Sequence, residues 1–323
     1  MYARVKRLPA PKRLCKNRWN SVLRISLIIC TYNRAEILPR CLSAARNQSL
    51  DPKEYEIIVV DNGSADDTAT VVRPFLEARD GPGVRYLFYP QRGLSRARNV
   101  GASAARASIA AYIDDDAIAD ADLLASLIRV YDEHPDAGCV GGRIEICLPP
   151  ELPRWYTKEF AGYYSAYDPG YRDATRIVEA TEFPYGANVS YRRVALDKAG
   201  YFQTSMGRIG AGQSGGEELD LEFRLARLGY GIYYAPRARV QHIVFPDRLR
   251  WAHIAGTARA AGRNWAYYER ELGVPGQHVR DDLRWFAGSL WRAARGQNPR
   301  VAYSQSIFYR AKILRKLRYA LTA

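Results

Sequence analysis

Residues 25–33 read Ile-Ser-Leu-Ile-Ile-Cys-Thr-Tyr-Asn. Ile25 to Cys30 form a short apolar run of strand length, and polar residues follow at once. Such a run, bounded by turn residues, is the pattern of a strand buried on both faces. The same unit recurs outward from it. Residues 35–47 carry Ile37, Leu38, Cys41, Leu42 and Ala45 at helical spacing. Tyr55 to Val60 predicts a second buried strand, closed by the turn signal Asp61-Asn62-Gly63-Ser64. A helix is expected over 67–79, a strand over 84–89, an Ala-rich helix over 95–107 and a fourth strand over 109–113. Strands alternating with helices predict an α/β chain with a mostly parallel sheet covered on both faces.

In such sheets ligands bind beyond the carboxyl ends of the strands. Polar residues stand at those ends: Thr31 and Asn33, then Asp61, then Asp114, Asp115 and Asp116. One polar strand end means little, but three together predict a site along one sheet edge. Alternate carboxylates leaving a strand can converge on one hard cation, which suits Mg²⁺ or Mn²⁺. Asp114 and Asp116 are the expected metal ligands. The competing role for the run is an Asp-rich turn capping the helix near Asp122. Asp61 can accept the N3–H of a uracil or thymine, or can form an Asx turn with Gly63. Arg98, in a helix opened by Gly93 and Ser95, can reach a diphosphate. It can equally be a surface arginine at a helix start.

Gly215-Gly216-Glu217-Glu218-Leu219-Asp220 puts carboxylates at a helix N-terminus, where the helix dipole favours the ionised form a general base needs. Asp220 and Arg224 are four apart and can pair along the helix. His242, after strand-like segments at 231–234 and 239–242, is either a structural histidine or a further metal ligand. Residues 148–185 are rich in proline and aromatic residues, Trp155, Tyr156, Tyr163, Tyr164, Tyr167 and Tyr171 among them. They predict a long irregular segment of the kind that is often functional.

Composition narrows the class. The 323 residues are 47% hydrophobic and 25% charged, enough for a sizeable core and unlike a disordered chain. Cys15, Cys30, Cys41, Cys139 and Cys147 form neither a CxxC pair nor a zinc spacing, which fits a reducing compartment. No secretory h-region and no run of about 18 apolar residues stands out, so a cytoplasmic protein is expected, either free or peripheral on the cytoplasmic face of the membrane. The net charge of +14 is concentrated at the ends. Residues 1–24 hold eight Lys/Arg and no acid, and residues 248–323 hold fifteen Lys/Arg against four acids, so the middle is mildly acidic. Basic ends suit an anionic lipid or nucleic-acid surface, or are simply solvated. Over 302–319, Tyr303, Ile307, Ala311 and Leu314 mark one helix face among basic residues. That stripe either lies on an anionic membrane or packs on the catalytic domain.

Taken in order, the motifs resemble glycosyltransferase family 2 over residues 25–243. They are Ile28 to Arg34, Ile58 to Ser64, Gly93 to Asn99, Ile113 to Asp116, Gly186-Ala187-Asn188 with Arg192-Arg193, and Gly216 to Arg224. The resemblance implies a GT-A, Rossmann-like fold and inversion at the anomeric carbon by direct displacement. It places Thr31, Asn33 and Asp61 near the nucleoside, and Asp114 and Asp116 with ribose, diphosphate and metal. Glu218 matches the base, and His242 matches a histidine found after the late strand. Gly186, Asn188, Glu217 and Asp220 are expected around the acceptor and its loop. One departure stands out: Glu217-Glu218 occupies the place where the family commonly has Glu-Asp.

The resulting expectation is a basic segment 1–24, a catalytic domain 25–247 and a basic helical extension 248–323. The enzyme moves sugar from a UDP- or dTDP-type donor to a hydroxyl of a glycan or lipid-linked acceptor, with no nucleic-acid partner. The rivals are a nucleotidyltransferase and a non-enzymatic membrane- or nucleic-acid-binding protein.

Overall fold

A computed structural model describes residues 23–207, 215–273 and 278–321. The expected basic segment 1–24 lies outside the described residues, apart from residues 23 and 24. The first half follows the predicted alternation: β1 (Ile25–Thr31), α1 (Leu38–Arg46), β2 (Tyr55–Asp61), α2 (Thr68–Glu77), β3 (Gly83–Phe88), α3 (Leu94–Ala104) and β4 (Ile109–Asp114). These four strands are mutually parallel in the order β3-β2-β1-β4. The register sets Thr31 beside Asp61 and Cys30 beside Asp114, so the polar strand ends share one edge. Leu27, Ile28, Ile29, Ile57, Ile58, Val59 and Val60 are wholly buried. Each such aliphatic side chain stabilises the fold by about 1.5–3 kcal/mol.

The second half contains β5 (Ala117–Ala119), α4 (Leu123–Glu133), β6 (Ala137–Cys147), β7 (Thr175–Arg176), β8 (Asn188–Arg192), α5 (Arg193–Ala199), α6 (Glu217–Arg227) and β9 (Gly231–Ile243). β8 runs antiparallel between β4 and β6, and β6 runs parallel to β9. The two expected strand pieces at 231–234 and 239–242 are one strand, whose register jumps at Gly142/Arg143 against Ala235/Arg239. β6 escapes a pattern reading because Gly138, Gly141 and Gly142 dilute its apolar run. A Cβ at Gly141 would strike Pro184, and one at Gly142 would strike the Ala238 carbonyl and the Asn188 amide. Glycine inside a strand here marks close approach of neighbouring chain.

Asn188 was expected at an acceptor loop. Instead it opens β8 at 1% exposure, and its Nδ2 donates to the carbonyls of Arg143 (3.1 Å) and Ala238 (2.9 Å). It ties three strands together.

The irregular aromatic segment includes a 3₁₀ turn at Lys158–Tyr164. There Phe160 and Tyr164 build a second small core with Val244, Leu249 and Ile254. The chain then forms α7 (Trp251–Glu271), α8 (Val279–Ala294) and α9 (Pro299–Leu321). A Cβ at Gly262 of α7 would strike the Phe308 carbonyl of α9, so the glycine permits close packing. Lys312 and Lys316 of α9 each pair with Glu269 of α7 and Asp282 of α8, at 2.5–2.9 Å. Ala302, Ser306 and Ile313 face inward, whereas Tyr303, Leu314, Leu317 and Leu321 are exposed. Of the predicted stripe, Tyr303 and Leu314 are thus on the outside, Ile307 is half-buried and Ala311 is buried. Among the described residues no helix is long and apolar enough to cross a membrane. Cys30, Cys41, Cys139 and Cys147 are all free thiols.

Candidate active site

The β1 and β2 ends are stitched together locally. Asn33 lies at φ 52°, in the left-handed region that asparagine tolerates. Its N–H donates to Ser64 Oγ and its Oδ1 accepts from Ala65 N–H, both at 2.8 Å. Asp61 is 1% exposed. Its Oδ1 accepts from Ser64 N–H at 2.8 Å and its Oδ2 from Tyr86 OH at 2.5 Å. The turn weighed from sequence with Gly63 closes instead on Ser64, one residue further, and Asp61 shapes the loop rather than standing open to it. Burial, and then the bond to Asp61, push the Tyr86 phenol upward. A cleft of about 180 Å³ follows, lined by Thr31, Tyr32, Arg34, Asn62, Arg92, Arg248 and Asp114 to Asp116.

Three of those lining groups were not singled out from sequence. Arg34 lies 3.9 Å from Asp116 Oδ2, and Arg248, from the turn Pro246–Arg248, lies 3.1 Å from the same atom. Arg92 stacks over the Tyr32 ring at 4.6 Å. Arg34 closes the quoted Thr-Tyr-Asn-Arg stretch, which was a usable signal. Arg248 had none, because only chain folding brings residue 248 to residue 116.

Asp114, Asp116 and His242 converge, with one ligand atom from each lying within 4.8 Å of the others. β5 creates this by pairing antiparallel with β9, which sets Ala117 opposite His242. His242 Nδ1 contacts the Tyr164 carbonyl at 3.0 Å, so that nitrogen is the donor. Nε2 then faces Asp116 Oδ1 at 3.0 Å and Asp114 Oδ2 at 3.9 Å. A backbone carbonyl that fixes the far nitrogen is how metal-ligating histidines are oriented. Burial pulls the His242 pKa down, but the bond to Asp116 and the charges of Asp116 and Asp114 outweigh it and the net shift is upward. Burial also opposes ionisation of Asp116, and His242, Arg248 and Arg34 overcome it, so the carboxyl stays ionised. Asp116 Oδ2 is buried with no aligned hydrogen-bond donor, even though Arg248 is near. Two carboxylates and one imidazole, with an unsatisfied oxygen among them, fit a divalent cation such as Mn²⁺ or Mg²⁺.

The second group stands on α6. Gly216 precedes it at φ 92°, where any Cβ would strike Tyr268 and Asn264. Three acids occupy the first turn, and the fold separates them. Glu217 is 1% exposed and accepts from Arg98 Nη1 at 2.7 Å. Asp220 is 1% exposed and pairs with Arg224 at 2.7 Å, as the four-residue spacing suggested. Glu218 alone of the three lines a cavity, and its Oε1 accepts from Gly186 N–H at 3.3 Å.

Arg98 was expected to reach a diphosphate. In the structure it is 3% exposed, turned inward onto Glu217, 3.8 Å from Glu218 and 3.7 Å from Asp114. Gly186 makes room for it, since a Cβ there would meet the guanidinium. The arginine thus stands between the Asp114 cluster and Glu218 and neutralises buried acid. The cations that line the cleft are Arg34, Arg92 and Arg248.

One turn beyond Glu218, Glu222 is wholly buried and accepts from Tyr191 OH (3.4 Å) and Cys139 Sγ (3.7 Å). Burial, then the charge of Glu218, raise its pKa well above the ordinary 4.5. The unfolded chain would release this proton near 4.5, and the folded chain holds it. Its contribution to stability is therefore full below that pH and declines as pH rises toward the folded pKa. The decline is at most about 1.4 kcal/mol per pH unit. Glu222→Gln is expected to flatten the fall in stability between about pH 5 and pH 8. Urea denaturation at a series of pH values checks this, and an unchanged slope would mean the carboxyl is ionised in the fold.

Comparison with known proteins bears on the family and the fold. The family model described as glycosyl transferase family 2 matches residues 26–200. A glucosyl-dolichyl phosphate glucuronosyltransferase of Haloferax volcanii is 28% identical over 71% of this chain and 72% of its own length. A poly-beta-1,6-N-acetyl-D-glucosamine synthase of Staphylococcus epidermidis is 26% identical over 74% of this chain and 56% of its own. Among solved structures, the mannosyltransferase PcManGT from Pyrobaculum calidifontis, in complex with GDP-Man and Mn²⁺, superposes with a TM-score of 0.57. It does so at 18% identity, over 95% of this chain and 79% of that one. S. aureus TarS 1-349 in complex with UDP gives 0.54 at 15% identity, over 93% and 92%. At these identities the structural likeness speaks for the fold alone, and the fold is GT-A.

Proposed function

The chain belongs to glycosyl transferase family 2 and is a glycosyltransferase, and from that premise we propose an inverting, metal-assisted transfer in which Glu218 is the general base. Family membership sets aside the nucleotidyltransferase and the non-enzymatic binding protein. The donor is a nucleoside-diphosphate sugar of UDP or dTDP type, and the acceptor is a hydroxyl of a glycan or lipid-linked compound. The observation that carries this reading is the convergence of Asp114, Asp116 and His242 at the edge where β1, β2 and β4 end.

Thr31 and Asn33 border the nucleoside. Asp61, whose oxygens accept from Ser64 N–H and Tyr86 OH, holds the shape of the loop beside the nucleoside. Arg34, Arg92 and Arg248 counter the diphosphate. Asp114, Asp116 and His242 would hold a divalent cation, which would supply charge neutralisation for the departing diphosphate. Glu218 takes the acceptor proton as the hydroxyl oxygen attacks the anomeric carbon, and the nucleoside diphosphate leaves from the opposite face. Arg98 keeps Glu217 occupied, which leaves Glu218 as the acid facing the acceptor. Calorimetric titration with UDP, dTDP and GDP, with and without Mn²⁺, followed by product analysis, tests the reading. Release of pyrophosphate instead of nucleoside diphosphate would overturn it.

The same proposal puts the enzyme at an anionic membrane surface, on the cytoplasmic side. Tyr303, Leu314, Leu317 and Leu321 are exposed on α9 beside Arg310 and Arg318, and Leu283, Leu290 and Trp291 are exposed on α8 beside Arg280 and Arg284. Apolar faces flanked by arginines suit anionic lipid, where each basic residue is worth about 1 kcal/mol before salt screening. The full chain is expected to co-sediment with vesicles rich in phosphatidylserine or phosphatidylglycerol at low salt and to stay in solution with neutral ones. Leu314→Glu with Leu317→Glu is expected to abolish co-sedimentation. Equal recovery with both vesicle types would remove the membrane from the account.

A further inference from the structure

Glu218, which does not line the donor cleft, lines a second cavity of about 430 Å³. Its walls come from the 159–165 and 180–185 segments, from the start of α6, and from α7 and α9. We propose that this cavity is the acceptor site, and that the part of the acceptor it holds is an uncharged amphiphile: a hydroxyl beside Glu218, carried on an apolar group that lies against aromatic rings. This rests on the glycosyl-transfer reading above and deepens it.

Three observations carry the assignment. First, the ring wall is apolar: Phe183, Tyr185, Trp265 and Phe308 line the space, with Ala261 of α7 exposed between them. Second, three of the polar tips that line it are already spent on the protein. Tyr268 OH donates to the Gly216 carbonyl at 2.8 Å, Asn264 Nδ2 donates to the Gly215 carbonyl, and Tyr163 OH bonds Ser304 Oγ at 3.2 Å. What is left for a ligand is small hydroxyls, the Tyr185 phenol, the Trp265 indole N–H and the acids, an uncharged or acidic set.

Third, the only charged side chains among the described lining residues are Glu159 and Glu218, both acidic. The donor cleft carries three arginines, and this cavity has no described cation. A phosphate beside Glu218 would bring a second anion to a carboxylate whose near cation, Arg98 at 3.8 Å, is already paired with Glu217. An alkyl or aryl group would instead displace water from rings. The two cavities therefore sort substrates by charge: the anionic donor goes to the arginine-lined cleft and the uncharged acceptor to the cavity lined by Glu218.

The test uses the full-length protein with UDP and Mn²⁺ present, titrated calorimetrically with methyl β-glucoside, hexyl β-glucoside, octyl β-glucoside and octyl phosphate, all below their micellar concentrations. Affinity is expected to rise at least about tenfold from methyl to hexyl glucoside, since each buried methylene contributes severalfold. Octyl phosphate is expected to bind at least about tenfold more weakly than octyl glucoside. Ala261→Trp fills the cavity and is expected to abolish the dependence on chain length, and Trp265→Ala to reduce it. UDP affinity serves as the check that each variant is folded. Equal affinities for methyl and octyl glucoside, tighter binding of octyl phosphate, or a chain-length dependence that survives Ala261→Trp would overturn the assignment. The parent reading fails by a different result: no metal-dependent binding or cleavage of any nucleotide sugar by the wild type.

Discussion

Replacing Asp116 is expected to lower sugar transfer by about 10³-fold or more, because a charged group aimed at the departing diphosphate is removed from a water-poor site. Asp116→Ala does more than that. The sequence places this carboxylate just past a strand end, and from an open position there its loss would leave the fold intact. It is in fact 1% exposed and shared by His242, Arg248 and Arg34. Breaking a buried charged cluster by removing one partner costs about 3–5 kcal/mol. Asp116→Asn is therefore the cleaner variant, since it keeps the volume and one oxygen donor and loses the charge. It is expected to fold with a smaller loss of melting temperature and still to lose activity. Assays with Mn²⁺, with Mg²⁺ and with chelator, read beside thermal melts, separate the two effects. Full turnover by Asp116→Asn, or by the chelated wild type, would remove the cation from the mechanism.

Glu218→Gln is expected to bind nucleotide normally and to transfer sugar about 10²–10⁴-fold more slowly, the usual contribution of a positioned base. The fold tolerates this change. Glu218 lines the second cavity, and its contact with Gly186 N–H needs only an acceptor oxygen, which glutamine keeps. Compensation by a neighbour is not expected. Glu217 is held by Arg98, and Asp220 by Arg224 and the Tyr267 hydroxyl. A fall in kcat with unchanged nucleotide affinity is the expected signature, whereas equal loss of both would assign Glu218 to donor binding.

Those two residues also show where a linear reading runs out. Three acids within four residues look equivalent in sequence. On the helix they point in different directions, and only the packing of Arg98 and Arg224 reveals which two are neutralised. Arg98 shows the converse. Its place at a helix start beside glycine suggests a surface cation, and nothing local announces that Gly186, 88 residues on, has vacated a slot for it. β8 was hidden because it joins the sheet antiparallel from a remote part of the chain. β6 was hidden because close approach demanded glycines where a strand usually shows branched aliphatics.

The sequence by itself determined the parallel half of the sheet and the edge that carries the chemistry. Uninterrupted apolar runs can only be buried strands, and a parallel register forces their polar ends onto one side. It also marked Asp114, Asp116 and the acids Glu217, Glu218 and Asp220 as worth following, since each sits at the end of a regular element, and the family resemblance singled out Glu218 among the last three. Tertiary structure alone decided which of the marked groups meet. The pairing of β5 with β9 brings His242 to Asp116, the turn at 246–248 brings Arg248 to the same carboxylate, and α7 and α9 wall the cavity beside Glu218. The two contacts at Asp116 join residues more than a hundred positions apart. Local pattern carries no record of such distances, because their free energy comes from burial and charge pairing that exist only once the chain has closed on itself.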